Sequence, residues 1–265
     1  MDPLHAIALA FIQGLTEFLP ISSSGHLVLV PVLLGWEDQG LAFDVATHVG
    51  TLGAVVFYFR HELWPMVRDA LGTLRGGTRT RESDLAWFVV LGTIPAVLAG
   101  GLFGGYISTA LRSPLVIAAT TAGFGVLLWV ADARGSNQRP ESSIGWRDAL
   151  IVGLAQALAL VPGTSRSGIT ITAALFLGLE RQAAARFSFL LSIPVILAAT
   201  CYESLKLVRS PVPADWVALS LGTLVSGVVA YLTIRGFIAL LGRIGLAPFA
   251  VYRLLLAAVL VWVYA

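Results

Sequence analysis

Long apolar stretches dominate the chain, and polar residues gather in the short segments between them. A helix needs about 20 mostly apolar residues to cross the hydrocarbon of a bilayer, and stretches of that length recur along the sequence. Six of them predict membrane-spanning helices: Leu41–Phe59, Leu85–Phe103, Leu115–Ala131, Phe187–Leu205, Trp216–Ile234 and Pro248–Tyr264. The pattern therefore predicts an all-α polytopic membrane protein with six transmembrane helices.

Two further apolar stretches, Pro3–Leu34 and Ile144–Leu179, are too long for one span and are interrupted midway by Pro, Gly and Ser. Non-helical backbone at membrane depth is tolerated only where protein or a water-filled cavity satisfies its polar groups. We therefore predict that both stretches are re-entrant helix-loop-helix segments, and that each interruption is a candidate site.

Composition agrees with a lipid environment. Hydrophobic residues make up 57% of the chain and charged residues 12%, whereas soluble domains average about 45–50% and about 25%; mean hydropathy is +0.85. The net charge of +2 has no basic block, which makes nucleic acid an unexpected partner. The single cysteine, Cys201, excludes an internal disulfide and a multi-cysteine metal site. The segment after Met1 lacks the basic region of a signal peptide, so we expect the mature chain to begin near Met1.

Basic residues concentrate in alternate loops, which the positive-inside rule assigns to the cytoplasm. These residues are Arg60, Arg68, Arg75, Arg79, Arg81, Arg134, Arg139, Arg147, Arg181, Arg186, Arg235 and Arg243. The opposite loops carry only Arg112, Lys206 and Arg209. The basic loops all fall on one side of the membrane only if each interrupted segment enters and leaves the membrane on the same side. Met1 and Ala265 are then predicted on the outer face, with the first segment entering from outside and the second from the cytoplasm.

The two halves of the chain also resemble each other in sequence. The motif from Gln13 to Gly25 is echoed 143 residues later by the motif from Gln156 to Gly168. Each half contains an interrupted pair and three spans, a plan found in inverted-topology repeats. We predict a first repeat over residues 1–131, a cytoplasmic connecting loop over 132–143 and a second repeat over 144–265.

The first interruption carries acidic, hydroxyl and imidazole side chains within a short segment. Gln13 and Glu17 are four residues apart and therefore project from one helix face. A carboxylate at membrane depth costs at least about 2.5 kcal/mol and usually faces a cavity or a partner. Ser22-Ser23-Ser24-Gly25 follow as candidate helix N-caps, and His26 falls in the first turn of the new helix. A fresh helix N-terminus favours a bound phosphate.

The second interruption supplies a cation between two hydroxyl residues, in the run Ser165-Arg166-Ser167, with Thr170 one turn later. A helix dipole disfavours a cation at its N-terminus, but a bound phosphate resolves the conflict because guanidinium donors match phosphate oxygens. Other polar groups are interpreted as anchoring or packing residues without a catalytic role: His48 with Asp44 and Thr47, Glu203 with Cys201, and Arg253, which we expect to pair with an acidic group.

With both motifs in view, the chain resembles the undecaprenyl-diphosphate phosphatase family, the bacitracin-resistance type of membrane phosphatase. The resemblance covers essentially the whole chain and rests on Gln13–His26 and Pro162–Thr170. It implies hydrolysis of undecaprenyl diphosphate to undecaprenyl phosphate and inorganic phosphate, with Mg²⁺ or Ca²⁺ required. It also implies a bacterial plasma-membrane enzyme whose site faces the periplasm or exterior and whose product serves peptidoglycan synthesis. The family allows Glu or Gln at the position of Gln13, and glutamine weakens any mechanism that needs two anionic metal ligands there.

Matching motif positions assign functional roles to residues of both interruptions. The resemblance implies Glu17, Ser23, His26, Ser165, Arg166 and Thr170, and we add Ser22 and Ser167 as phosphate ligands. Our hypothesis gives the metal to Glu17 with help from Gln13, and makes Ser23 the nucleophile with His26 as general base and acid. The competing assignment makes His26 the nucleophile through a phosphohistidine. The sequence leaves both open.

Two other classes of protein share parts of this pattern. An inverted repeat with interrupted helices is equally the plan of a transporter or flippase for a lipid phosphate or small anion. A hydroxyl, imidazole and carboxylate beside an arginine favours catalysis, because binding alone rarely needs a general base. A non-catalytic scaffold gives no reason for charged residues at both interruptions. A homodimer is compatible with the sequence, although no feature argues for it.

Overall fold

The computed structural model describes residues 2–37, 39–111, 113–136, 138–208 and 215–264. Within these ranges every regular element is helical, apart from one isolated bridge between Arg139 and Leu179. The predicted sides of Met1, Arg112, Arg209 and Ala265 fall on residues outside the described ranges.

The described chain forms a succession of short and long α-helices. They are α1 (Pro3–Thr16), α2 (Ser23–Leu34), α3 (Gly40–Tyr58), α4 (Arg60–Leu74), α5 (Arg81–Ala110), α6 (Pro114–Arg134), α7 (Trp146–Leu158), α8 (Arg166–Phe176), α9 (Arg181–Val208), α10 (Trp216–Ile244) and α11 (Ala247–Tyr264). A single 3₁₀ turn, Glu141–Ser143, precedes α7.

The six predicted spans are confirmed as α3, α5, α6, α9, α10 and α11, each long and apolar enough to cross a membrane. Helices α5, α9 and α10 extend beyond the predicted apolar stretches. At the beginning of α5, Thr80 caps the helix and accepts a hydrogen bond from the backbone N–H of Ser83. Helix α9 is the most enclosed span, with 50% of its apolar window buried against at most 33% for the others.

Helix α4 was not predicted from the sequence. Its segment reads as a charged loop containing Pro65, and only Met66 on it is buried. Hydrogen bonds from α5 and its N-cap residue hold the helix in place. The Trp87 indole of α5 donates to the Thr73 hydroxyl at 3.0 Å, and the Thr80 hydroxyl donates to Asp69 at 2.9 Å. A tertiary contact therefore stabilises a helix that hydropathy does not reveal.

Both predicted interruptions are helix breaks in the structure. The first stretch divides into α1 and α2, and the second into α7 and α8. Glycines let α1 and α3 approach α10 closely: a Cβ on Gly14 would lie 2.6 Å from the Ser226 carbonyl oxygen, and one on Gly50 would lie 2.2 Å from the Thr223 carbonyl oxygen. Such small residues are typical of closely packed membrane helices.

Ion pairs join the loops that the positive-inside rule placed together. Arg186 contacts Glu141 at 2.6 Å and also pairs with Glu62, and Arg181 contacts Asp132 at 2.6 Å. The beginnings of α4 and α9, the turn before α7 and the end of α6 therefore meet at one end of the helix bundle.

Arg253 of α11 contradicts its predicted role. Its side chain is fully buried and donates to carbonyl oxygens: Nε to Thr121 at 3.1 Å, and Nη2 to Gly163 at 3.0 Å and Thr164 at 2.9 Å, with a weaker Nη1 contact to Pro20 at 3.5 Å. The prediction of an acidic partner was wrong because the breaks expose carbonyl groups that helices would otherwise satisfy. The guanidinium thus links both interruptions.

Replacing Arg253 by methionine is expected to destabilise the protein more than any surface arginine does. Each buried carbonyl that loses its donor costs about 1–3 kcal/mol, so we expect a large fall in the thermal unfolding midpoint in detergent. Arg243→Met, at an exposed position near the end of α10, is the matched control. Equal midpoints for the two variants would contradict the linking role of Arg253.

Candidate active site

Glu17 lies at the meeting point of the two breaks, directly after α1. Its Oε1 accepts a hydrogen bond from Nη2 of Arg166 at 3.1 Å, and both side chains are nearly buried, 9% and 12% exposed. Its Oε2 accepts from the Ser23 hydroxyl at 3.2 Å and from the Gln13 amide at 3.0 Å. Four residues that the sequence analysis assigned to catalysis or metal binding therefore form one hydrogen-bonded group.

Arg166 is the first residue of α8, where the helix dipole disfavours a cation. The Glu17 carboxylate offsets that cost, and Nη1 of Arg166 donates to the Ser188 carbonyl oxygen at 3.2 Å. The guanidinium also lies 5.6 Å from the centre of the Phe18 ring. Removing either charge leaves the other buried and unpaired. The charged residue of each break is therefore stabilised by the charged residue of the other break.

Ser22 and Ser165, both predicted phosphate ligands, occupy equivalent places before α2 and α8. Each has a positive φ, 74° and 67°, which is uncommon for residues other than glycine. The hydroxyl of Ser22 accepts from the Gly25 N–H at 3.4 Å, and that of Ser165 accepts from the Gly168 N–H at 3.2 Å. The same capping conformation therefore recurs at both breaks, at the N-termini of α2 and α8.

Ser167 and Thr170, the other predicted phosphate ligands on α8, are fully buried. The Ser167 hydroxyl donates to the Leu19 carbonyl oxygen in the first break at 3.0 Å. The Thr170 hydroxyl donates to the Arg166 carbonyl oxygen at 2.8 Å and lies 2.7 Å from the Ser188 hydroxyl. In the structure both hydroxyls therefore donate to backbone carbonyl oxygens, and they stabilise the backbone around Arg166.

The His26 ring forms its hydrogen bonds with Ser22 and Tyr252, outside the Glu17 group. Its Nδ1 lies 2.7 Å from the Ser22 carbonyl oxygen, which can only accept, so this nitrogen carries the proton. Its Nε2 therefore accepts from the Tyr252 hydroxyl at 2.6 Å, and the two rings stack nearly parallel. Sequence reasoning missed Tyr252, because 226 positions separate it from His26 and no motif includes it.

His48 of α3 completes the polar surroundings of Glu17, although the sequence analysis gave it no catalytic role. Its Nδ1 donates to the Asp44 carbonyl oxygen at 2.7 Å. Its Nε2 lies 3.3 Å from the Gln13 amide nitrogen and 4.0 Å from Oε2 of Glu17. The sequence does show a polar residue, His48, within an apolar span. Its partner Gln13 could not be identified, because 35 positions separate the two residues.

The residues around Glu17 fit a divalent cation in part. In the described part of the chain, no three His, Cys, Asp or Glu side chains are grouped to hold a metal ion. The Gln13 amide nitrogen, however, donates to the Glu17 carboxylate, and the oxygen of the same amide is buried without a hydrogen-bond partner. A carboxylate and an amide oxygen suit an ion that keeps several waters, as Mg²⁺ does.

An apolar groove of about 450 Å³ opens beside His26. Its walls come from α1, the first break and α11: Ile12, Leu15, Thr16, Leu19, Ile21, Pro248, Phe249 and Tyr252. His26 and Tyr252 thus form a polar wall in a groove whose other walls are almost wholly hydrocarbon.

The fold and the site together define a multi-pass helical membrane protein with a charged group between two broken helices. The family described as bacitracin resistance protein BacA matches residues 6–259. The chain belongs to this family.

Individual relatives match over the whole length. The chain is 60% identical over 264 residues to a protein of Nitrosococcus oceani named undecaprenyl-diphosphatase, with 100% of both chains covered. It is 57% identical over 263 residues to undecaprenyl-diphosphatase 2 of Stutzerimonas stutzeri, covering 98% of this chain and 97% of the relative. A Chromohalobacter salexigens protein named undecaprenyl-diphosphatase is 59% identical over 264 residues, covering 99% and 100%.

Proposed function

We propose that the chain is an integral membrane phosphatase that hydrolyses undecaprenyl diphosphate to undecaprenyl phosphate and inorganic phosphate. The observation that carries this proposal is the Glu17–Arg166 ion pair beside Ser23, in a chain whose full-length relatives are named for that activity. The transporter or flippase alternative is not favoured, since those relatives are named as diphosphatases. In a bacterial inner membrane this reaction recycles the lipid carrier for peptidoglycan synthesis and fits a role in bacitracin resistance.

The proposed architecture has two re-entrant pairs in an inverted-topology repeat. The His5 and Trp36 rings stack 4.0 Å apart, which brings the beginning of α1 beside the segment after α2. Arg139 likewise contacts Asp148 near the start of α7 and the Leu177 carbonyl oxygen after α8. Helix α1 packs on α10 as α7 packs on α5, and these are corresponding pairs under the proposed repeat. We place the site on the periplasmic or outer side.

In the proposed reaction, Arg166 exchanges its carboxylate partner for the terminal phosphate of the substrate. Phosphoryl transfer is catalysed mainly by positioning the group and stabilising charge on its oxygens. A planar guanidinium and the N-termini of α2 and α8 supply donors for those oxygens. The release of Glu17 from Arg166 then frees a carboxylate when substrate binds.

Ser23 is the proposed nucleophile. Its oxygen attacks the terminal phosphorus, the bond to the bridging oxygen breaks, and undecaprenyl phosphate leaves; water then hydrolyses the phosphoserine to inorganic phosphate. The contact at 3.2 Å favours Glu17, in place of His26, as acceptor of the Ser23 proton. His26 lines the groove and accepts a hydrogen bond from Tyr252, and its alternative role as nucleophile stays open.

A divalent ion, Mg²⁺ or Ca²⁺, is proposed beside Glu17 and the Gln13 amide oxygen. When bound there, such an ion would neutralise phosphate charge and polarise the phosphoryl group. Glu17 holds Arg166 through Oε1 before substrate binds, and the carboxylate released from Arg166 on substrate binding would be available to the ion.

The apolar groove is proposed to receive the first isoprenoid units of the substrate. Replacing Leu15, 37% exposed on the groove wall, by tryptophan is expected to lower kcat/KM for undecaprenyl diphosphate about tenfold, since one blocked apolar contact is worth about 1–3 kcal/mol. Leu197→Trp on the lipid-facing surface of α9, where Leu197 is 50% exposed, is the control. A similar kcat/KM for both variants would show that the lipid avoids this groove.

Phosphate release from undecaprenyl diphosphate by the detergent-purified chain tests the function, with and without chelator. We expect equimolar phosphate and undecaprenyl phosphate when the ion is present. Wild-type protein that releases no phosphate under these conditions would favour the transporter alternative. Trapping a phosphoenzyme distinguishes the two candidate nucleophiles. An acid-labile adduct that persists in Ser23→Ala and is absent from His26→Ala would show that His26, and not Ser23, is the nucleophile.

A further inference from the structure

We propose that His48 is a metal ligand in this protein, so that its divalent ion is held by an imidazole nitrogen together with Glu17 and Gln13. The inference rests on the proposed function, because it concerns the metal of the same site. It goes beyond that function by naming an additional ligand and a different class of preferred ion.

The orientation of the His48 ring is the first observation that points to a metal ion. Its Nδ1 donates to the Asp44 carbonyl oxygen at 2.7 Å, so Nε2 carries a lone pair, which faces the Gln13 amide nitrogen at 3.3 Å. Metal-binding histidines almost always fix the ring in this way, through a hydrogen bond from the second nitrogen to a carbonyl or carboxylate. His26 has the same arrangement at Nδ1, but the Tyr252 hydroxyl occupies its Nε2.

The position of the Nε2 lone pair is the second observation. It lies 3.3 Å from the terminal nitrogen of the Gln13 amide and 4.0 Å from Oε2 of Glu17, while the Gln13 nitrogen and the Glu17 oxygen are 3.0 Å apart. Ligand atoms around one ion at about 2.1 Å are separated by about 3–4 Å. The triangle of these three groups therefore has the dimensions of part of a coordination shell.

The unpartnered oxygen of Gln13 is the third observation. The side chain of Gln13 is fully buried, and its Oε1 has no hydrogen-bond partner. In the structure the amide nitrogen, not the oxygen, faces Glu17 and His48. Under the proposal, ion binding replaces these two contacts, and a half-turn of the amide then places the carbonyl oxygen, a metal ligand, between Glu17 and His48.

Access to the site is compatible with an exchangeable ion. The His48 side chain is 35% exposed, whereas Glu17 is 9% exposed. An imidazole ligand changes the expected preference, because nitrogen ligands suit transition ions and Mg²⁺ and Ca²⁺ favour oxygen alone. A mixed shell of carboxylate, amide oxygen and imidazole therefore favours Mn²⁺ over Mg²⁺ and Ca²⁺.

The test is Mn²⁺ binding to the full-length, detergent-purified protein without substrate, followed by electron spin echo spectroscopy. We expect wild-type protein to bind Mn²⁺ with a ¹⁴N coupling typical of a histidine ligand. His48→Gln should lose that coupling and bind Mn²⁺ at least about tenfold more weakly. His61→Gln, at an exposed position on α4, is the matched control and should match wild type, with thermal midpoints showing that each variant is folded.

Three results would overturn the assignment: wild-type protein that binds no Mn²⁺, bound Mn²⁺ without ¹⁴N coupling, or a coupling that persists in His48→Gln. In phosphate release, the ratio of Mn²⁺-supported to Mg²⁺-supported rates should fall in His48→Gln. Because the spectroscopic measurement needs no substrate, a protein that binds Mn²⁺ through His48 and releases no phosphate would refute the proposed function and leave the ligand assignment intact.

Discussion

Glu17→Gln is expected to lower the rate of phosphate release at least about 10³-fold, the largest effect of any single substitution at this site. Glutamine keeps the size of the side chain but removes the negative charge. That charge belongs to the carboxylate that pairs with Arg166 and accepts the hydrogen bond from the Ser23 hydroxyl. It also removes the anionic ligand of the proposed ion. Single-turnover phosphate release with enzyme in excess measures so large a loss.

The matched control for this substitution is Glu203→Gln. Glu203 lies near the end of α9 and pairs with Lys206 at 3.0 Å in a partly exposed position, where ion pairs are worth about 0–1 kcal/mol. We expect wild-type rates from this variant. A Glu17→Gln protein that is folded and retains more than a tenth of the wild-type rate would show that the carboxylate is structural.

Arg166→Lys is expected to reduce phosphate release about 10²–10³-fold. Lysine preserves the charge but replaces a planar fork of donors with a point charge, so it cannot contact Glu17 and Ser188, or two phosphate oxygens, in the same way. The loss should lie mainly in kcat, because the donors match the charge that develops on the phosphoryl oxygens.

Arg147→Lys provides the corresponding control. Arg147 is exposed at the beginning of α7 and lies over the Trp146 ring at 5.3 Å, away from the breaks. Its replacement should leave kcat and KM unchanged. If Arg166→Lys raised KM and left kcat at the wild-type value, Arg166 would bind substrate without stabilising the transition state.

Much of the fold follows from local sequence patterns. The spans α3, α6 and α11 begin and end close to the predicted residues, because continuous apolar runs leave few alternatives in lipid. Both breaks lie where Pro, Gly and Ser interrupt the apolar stretches, and Ser22 and Ser165 cap the helices that follow. Hydropathy and capping chemistry are read over short windows, which is why they predict these features.

Features that depend on tertiary contact could not be predicted in this way. Helix α4 is fixed by hydrogen bonds to α5, and its charged sequence shows no apolar run. Three of the four carbonyl partners of Arg253 lie in the two breaks, those of Pro20, Gly163 and Thr164. Tyr252 and His48 reach the site from distant spans, so neither belongs to a motif that spacing reveals.

The buried ion pair also explains how two largely apolar segments accommodate a cation and an anion. Each charge neutralises the other in the structure, and the proposed substrate separates them by offering Arg166 a new anion. Breaking such a pair by removing one partner leaves an uncompensated charge. The ion pair therefore couples the two broken segments in the structure, and the proposed reaction couples them in function.

A double-mutant cycle on Glu17 and Arg166 tests this coupling most directly, with single-turnover phosphate release measured for wild type, Glu17→Gln, Arg166→Lys and the double variant. Residues that act as one unit have strongly non-additive effects. We predict that the double variant is within about threefold of the slower single variant. Losses that multiply in the double variant would contradict a single site shared by the two broken segments.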